Sequence, residues 1–136
     1  MPNALLRTNL GNAIHEFVNK IGNKSLQVHV YTEGLEEKLD SNLETVLYRV
    51  IQECVHNAIK HAGASNLDIS LIRDKDGISG TIEDNGKGFD PADPTRFEGI
   101  GIKNIMTRIS YLKGTVDFDA APGRGTLVAF HVPVKQ

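Results

Sequence analysis

The sequence is poor in cysteine, has no tryptophan and carries no large excess of charge of either sign. One cysteine, Cys54, excludes an internal disulfide and a cysteine-based zinc ribbon. Fifteen Lys and Arg against seventeen Asp and Glu exclude the basic footprint of a nucleic-acid-binding domain. Apolar runs stay short of the roughly 20 residues of a membrane span, and the N-terminus lacks a signal-peptide pattern. We therefore expect a cytoplasmic domain with no nucleic-acid partner and no direct membrane contact.

The remaining composition is typical of a folded domain. Of 136 residues, 40% are hydrophobic and 24% are charged, which is ordinary globular usage. A chain of this length can bury a sizeable core without disulfides. We predict one domain over residues 1–136, with no internal repeat.

The spacing of apolar residues predicts the order of the secondary-structure elements. Helical spacing predicts three amphipathic helices, over residues 6–21, 43–62 and 102–112. Alternating apolar residues predict strands around residues 26–30, 67–71, 78–82, 116–118 and 126–134. Paired strands between helices favour an α/β (α+β) fold, a two-layer sandwich of three helices on a mostly antiparallel mixed sheet.

The long second helix carries a polar strip. Glu53, Asn57 and His61 are four residues apart, so they lie along one side of a helix at the margin of its apolar face. We expect Asn57 to point towards the interior, where an unpaired amide costs about 1–3 kcal/mol. Two interpretations stay open here: a buried asparagine bonded to nearby backbone with Glu53 and Lys60 solvated, or a polar ligand site.

A second candidate site follows the strand that begins at Ile78. Alternation places Ile82 and Asp84 on the same face, so a carboxylate lies at the mouth of the core. Gly86 and Gly88 would let the backbone approach a flat ligand, and Asp84 could accept a hydrogen bond from an exocyclic amine. The alternative is an ordinary Asp-Asn-Gly turn.

A third candidate site lies at the start of the last helix. Gly99 and Gly101 precede it, and unpaired backbone N–H groups at a helix N-terminus suit a phosphate. The pattern lacks the third glycine of a dinucleotide fingerprint and the Gly-Lys-Ser/Thr of a P-loop. Glycines that merely end a loop are the alternative.

Taken together, these segments are similar to a known family. In order and spacing they resemble the N, G1 and G2 boxes and the last glycine turn of the GHKL ATPases, which share the Bergerat ATP-binding fold. The four segments are residues 53–62, 84–89, 99–101 and 123–126. The phrases at residues 48–53 and 60–65, and the short lid, resemble the catalytic ATP-binding domain of a bacterial sensor histidine kinase of the nitrate-sensor type. The resemblance covers essentially the whole chain.

The resemblance implies ATP and Mg²⁺ as cofactors and gives roles to residues at the phosphate end. Asn57 would be the Mg²⁺ ligand that bridges to the phosphates. Glu53 would polarise the attacking group or its water. Lys60 and His61 would line the phosphate side.

For the base and the lid, the resemblance implies a further set of roles. Asp84 would accept from the adenine amino group, and Thr126 would join through water. Gly86 and Gly88 would make room for the base. The lid would hinge at Gly99 and Gly101, whose backbone N–H groups would reach the phosphates, and Phe97 is the candidate for its phenylalanine box.

The implied activity is transfer of the ATP γ-phosphoryl group to a histidine on a dimerisation domain outside this chain, with a response regulator downstream. We do not expect His15 to be that acceptor, because the strand at Leu26 leaves no room for a second bundle helix. The isolated chain should show little activity. Two other functions stay open: a serine kinase of the anti-sigma-factor type, and a degenerate nucleotide-binding interaction module.

Overall fold

The computed structural model describes residues 3–21, 26–90, 92–93 and 101–134, apart from the side chains of residues 61 and 62. The helices are α1 (Asn3–Arg7), α2 (Leu10–Ile21), α3 (Ser41–Asn57) and α4 (Ile102–Tyr111). The strands are β1 (Gln27–Glu33), β2 (Asn66–Asp74), β3 (Gly77–Asp84), β4 (Thr115–Ala120) and β5 (Thr126–Val132). Within these ranges, no helix has the length and apolar character needed to cross a membrane.

The five strands form one sheet in the order β1-β2-β3-β5-β4. Only the β1–β2 pair is parallel, and the other neighbours are antiparallel. A parallel pair needs a long crossover, which the segment containing α3 supplies. Buried residues of α2, α3 and α4 pack with the inward-facing residues of the sheet in one hydrophobic core. The predicted two-layer sandwich with a mostly antiparallel mixed sheet is confirmed.

The first predicted helix is interrupted. Asn9 lies between α1 and α2, and its side-chain oxygen accepts a hydrogen bond from the Asn12 N–H at 2.8 Å, which caps α2. Because the chain breaks here, Leu5 is fully buried and Leu6 is 63% exposed. The prediction of one continuous amphipathic helix over residues 6–21 is therefore wrong at its start.

The long helix begins as predicted and ends differently. The Asp40 carboxylate accepts from the Leu43 N–H at 3.1 Å and caps α3. After Asn57 the chain continues as a π-helical segment, Ala58–Ala62, rather than as the predicted α-helix. Gly63, in the left-handed conformation, ends this segment. Single π-helical turns are rare and often occur at functional sites.

An ion pair between half-exposed Lys38 and buried Glu44 connects α1 to α3. Glu44 is wholly buried on α3, and its carboxylate accepts from the Lys38 ammonium at 2.8 Å and from the Leu39 N–H at 3.2 Å. Lys38 also donates to the backbone carbonyls of Leu5 and Thr8. These bonds satisfy the buried charge and fix α1 against the loop that leads into α3.

Candidate nucleotide site

Asp84 lies at the end of β3, in the central part of the sheet. Its side chain is half-buried, and its Oδ1 accepts from the Gly86 N–H at 2.8 Å. Burial raises the pKa of Asp84, and backbone hydrogen bonds from Gly86 and Thr126 act in the opposite direction. A carboxylate has about four lone-pair sites, so these two bonds leave capacity to accept from an exocyclic amine.

The next residue, Asn85, forms hydrogen bonds with the segment that leads into β2. Its Oδ1 accepts from the N–H groups of Ser65 and Asn66, both at 2.9 Å. Its Nδ2 donates to the Ser65 hydroxyl at 2.9 Å. The role of Asn85 could not be predicted from the sequence, because its partners are distant in the chain and only the tertiary fold brings them together.

Glu53 lies against the first turn of α4. Gly101 precedes that helix in the left-handed conformation, with φ 71°, and a Cβ at this position would overlap the Glu53 Oε1 atom. A carboxylate next to a helix N-terminus interacts favourably with the helix dipole. The structure thus brings together Glu53 and Gly101, which the sequence analysis placed in two separate candidate sites.

Cys54 lies near both candidate carboxylates. Its thiol is buried, and burial raises its pKa to about 12, with further contributions from the negative charges of Glu53 and Asp84. Both carboxylates are therefore close enough to this buried thiol for their charges to act on it. Cys54 itself is part of the main hydrophobic core.

The remaining predicted residues of the long helix lie at its C-terminal end. Asn57 is the last residue of α3 and is half-buried rather than buried in the interior, and Lys60 is exposed on the π-helical segment. The side chain of His61 lies outside the described part of the chain. Gly99 and Phe97 also lie outside the described residues, so their roles in the lid stay predictions.

The loop after β3 packs against the turn between β4 and β5. A Cβ on Gly88, which has φ 67°, would overlap the Ala121 carbonyl oxygen. A Cβ on Gly125, with φ 80°, would overlap the Asp84 carbonyl oxygen. Both positions therefore require glycine for contacts within the protein, whether or not a base also lies there.

A small apolar cluster holds the start of the glycine-rich loop. Phe89 is buried with Ile102 of α4 and Ala120 of β4, and Phe118 packs beside them. The cluster is separate from the main core. It links the loop that follows Gly88 to the helix that follows Gly101.

A cavity of about 330 Å³ lies over the face of the sheet that is turned away from the helices. Among the residues that line it are His29, Tyr31, Asp68, Thr81 and Glu83. None of the residues predicted for the nucleotide site lines this cavity.

A helical layer covers one face of a five-stranded mixed sheet, with Asp84 at the end of a central strand and Glu53, a residue of α3, against the start of α4. Residues 42–136 match the histidine kinase-, DNA gyrase B-, and HSP90-like ATPase family. The chain belongs to this family, and membership implies nucleotide binding.

Similar proteins include several histidine kinases. The oxygen sensor histidine kinase NreB of Staphylococcus carnosus is 33% identical over 112 residues, which are 82% of this chain and 32% of that protein. The chain thus spans about a third of the length of this relative.

Solved structures show the same fold. The ATP-binding domain of PrrB from Mycobacterium tuberculosis has a TM-score of 0.72 at 20% identity, covering 93% of each chain. The histidine kinase domain of the Erythrobacter litoralis EL346 blue-light activated histidine kinase has a TM-score of 0.73 at 19% identity, covering 93% of this chain and 61% of that one.

Proposed function

We propose that this chain is the catalytic ATP-binding domain of a two-component sensor histidine kinase. It donates the ATP γ-phosphoryl group to a histidine on a dimerisation domain outside residues 1–136. The observation that carries the proposal is that Glu53 lies against the first turn of α4, while Asp84 lies at the end of the central strand β3. This arrangement offers an acceptor for a base at one end and a carboxylate next to helix N–H donors at the other.

At the base end, the Asp84 carboxylate accepts from the adenine amino group. Guanine presents a carbonyl at the equivalent position, so the same carboxylate disfavours GTP. Thr126, whose backbone already bonds to Asp84, joins through water, and Gly86 and Gly88 leave room for the ring.

At the phosphate end, Asn57 holds Mg²⁺ through its amide oxygen. A neutral hard oxygen suits Mg²⁺, which keeps several waters and binds few protein ligands besides the substrate phosphates. The ion supplies charge neutralisation for the phosphates when it is bound. Lys60 and His61 line this end, and backbone N–H groups after Gly99 and Gly101 bind phosphate oxygens.

Glu53 is placed to polarise the attacking group. Its half-buried carboxylate can accept a proton from an imidazole N–H or a water in line with the γ-phosphate. Most of the remaining rate enhancement of phosphoryl transfer comes from positioning, and the acceptor lies on another domain. The isolated chain therefore hydrolyses ATP slowly.

The partners follow from the location of the acceptor histidine on another domain. The chain acts on the dimerisation and phosphoacceptor domain of its parent protein, in the cytoplasm, and a response regulator then takes the phosphoryl group from the histidine. Residues 1–136 form a single domain that lacks this acceptor, and His15 is not phosphorylated.

The proposal is tested by mixing the chain with a separately expressed dimerisation domain of the parent kinase and ATP labelled at the γ-phosphate. Acid-labile label should appear on the acceptor histidine, and a variant of that histidine should take none. Glu53→Gln should lower transfer by about 100-fold or more while leaving ADP affinity unchanged.

Three outcomes would contradict the proposal. Acid-stable label on a protein serine would favour a kinase of the anti-sigma-factor type. Nucleotide binding without transfer to any acceptor would favour a degenerate interaction module. Label on His15 of the isolated chain would place donor and acceptor within the same domain.

A further inference from the structure

Asn85 connects two segments that carry opposite ends of the proposed site. We propose that Asn85 is a positioning residue that holds the metal-binding end of the site at a fixed distance from the adenine-binding end. The proposal rests on the proposed function, because it assumes that Asp84 meets adenine and Asn57 meets Mg²⁺.

At the adenine-binding end, the connection to Asn85 is the peptide bond from Asp84. Asp84 and Asn85 are consecutive, and their side chains have different partners: Asp84 accepts from Gly86, and Asn85 bonds to Ser65 and Asn66. Any movement of the backbone at Asn85 therefore moves the Asp84 carboxylate as well.

At the metal-binding end, a short segment of chain from Asn57 to Ser65 makes the connection to Asn85. Asn57 precedes the π-helical segment Ala58–Ala62, Gly63 ends that segment, and Ser65 follows two residues later. Asn85 binds the N–H and hydroxyl groups of Ser65 on one side. On the other side, the Ser65 carbonyl accepts from the Gln27 N–H of β1 at 3.0 Å.

Removing the Asn85 amide should loosen the connection without unfolding the domain. Asn85 is exposed, so its three hydrogen bonds compete with water and add little to overall stability. The backbone bond from the Asn85 N–H to the Asn66 carbonyl, at 3.3 Å, would remain in Asn85→Ala. The bonds lost are those between the Asn85 side chain and Ser65 and Asn66, which leaves Ser65 held by the Gln27 N–H on the β1 side only.

The predicted effect is a loss of coupling between the two ends. ADP in the presence of a chelator needs mainly the adenine end, whereas ADP with Mg²⁺ must satisfy both ends at one separation. The Mg²⁺ increment, defined as the ratio of the ADP Kd with chelator to the Kd with Mg²⁺, should therefore fall about tenfold in Asn85→Ala. The Kd with chelator should change by less than about threefold.

Two matched variants separate positioning from general damage. Asn85→Asp keeps an acceptor for both backbone N–H groups, and the Ser65 hydroxyl can rotate to donate to the second oxygen, so this variant should restore most of the increment. Ser65→Ala removes only the Nδ2 bond and should lower the increment by less than about threefold. Asn57→Ala should abolish the increment and serves as the reference for its complete loss.

Isothermal titration of the whole chain with ADP gives all these values. An unchanged increment in Asn85→Ala, or an equal loss of affinity with and without Mg²⁺, would overturn the inference alone. A wild-type chain that binds no ADP, or binds it with no Mg²⁺ increment, would instead contradict the proposed function.

Hydrogen exchange decides the question if Asn85→Ala does not fold. In the unsubstituted chain, the Ser65 and Asn66 amides should exchange more slowly with ADP and Mg²⁺ than with ADP and chelator, because only the former holds both ends. Equal protection in the two states would overturn the inference.

Discussion

Replacing Gly101 by alanine should disturb both the backbone before α4 and the carboxylate that lies against it. Gly101 has φ 71° and ψ 19°, and a non-glycine residue in this left-handed conformation costs about 1–2 kcal/mol. The new Cβ would overlap Glu53 Oε1, so the carboxylate must move away from the helix N-terminus, where it contributes about 0.3–1 kcal/mol. We expect the free energy of unfolding to fall by about 1.3–3 kcal/mol.

Gly63→Ala is the matched control for the backbone contribution. Gly63 has φ 59° and ψ 31°, and among the described residues no atom lies within 4 Å of where its Cβ would be. This variant should therefore lose only the conformational contribution. A double-mutant cycle of Gly101→Ala with Glu53→Ala isolates the contact, with an expected interaction energy of about 0.3–1 kcal/mol.

Urea unfolding measures the stabilities, and phosphoryl transfer to the dimerisation domain measures the catalytic effect. Because Glu53 is displaced, Gly101→Ala should lower transfer by about 100-fold or more, close to the loss in Glu53→Gln. Two results would refute this reasoning: an interaction energy of zero in the cycle, or full transfer activity in Gly101→Ala.

Three other predictions concern the base site, the buried thiol and the ion pair between Lys38 and Glu44. ADP at a concentration of 100 times its Kd should stabilise the wild-type chain by about 2.7 kcal/mol. Asp84→Asn should abolish this stabilisation while changing the melting temperature of the nucleotide-free protein little. Stabilisation by ADP that survives in Asp84→Asn would contradict the role of Asp84. Cys54 should resist alkylation by iodoacetamide in the folded state, and rapid alkylation would contradict its burial. Because the folded pKa of Cys54, about 12, exceeds its ordinary value of 9.0, the free energy of unfolding should decline as pH rises from about 9 towards 12. Lys38→Met should destabilise the domain by about 1–3 kcal/mol in urea unfolding, because it leaves the buried Glu44 carboxylate with the Leu39 N–H but without its cation. An unchanged stability would contradict the burial of Glu44.

Helical spacing predicted the core of α3 well and the start of the chain less well. The apolar spacing over residues 43–62 predicted an amphipathic helix, and Leu47 and Ile51 on its apolar face are fully buried. At the N-terminus, a residue of the apolar stripe, Leu6, is exposed because α1 ends at Arg7 and α2 begins a new register at Leu10. The available signal was Asn9, a preferred N-cap residue like Asp40 before α3.

The π-helical segment could not be read from the sequence. Its residues, Ala-Ile-Lys-His-Ala, continue the apolar spacing of α3, and an extra residue in one turn leaves no signal in composition or period. The prediction that Glu53, Asn57 and His61 follow one regular helical strip therefore fails after Asn57.

Contacts between segments that are distant in the chain could not be predicted from the sequence either. Strand alternation placed Asp84 on the face shared with buried Ile82, which agrees with its half-buried side chain. The meeting of Glu53 with Gly101 depends on how α4 packs against α3, and the bonds of Asn85 depend on how β2 and β3 pair. Both arise from the tertiary fold and have no local pattern.

The central claim is that this chain binds an adenine nucleotide together with Mg²⁺ at the site between Asp84 and Asn57. Isothermal titration of the chain with a non-hydrolysable ATP analogue, with and without Mg²⁺ and beside the matching GTP analogue, tests it most directly. We predict that the ATP analogue binds more tightly with Mg²⁺ and that the GTP analogue binds much more weakly. Absence of ATP-analogue binding in both conditions, or equal affinity for the two analogues regardless of Mg²⁺, would contradict the account.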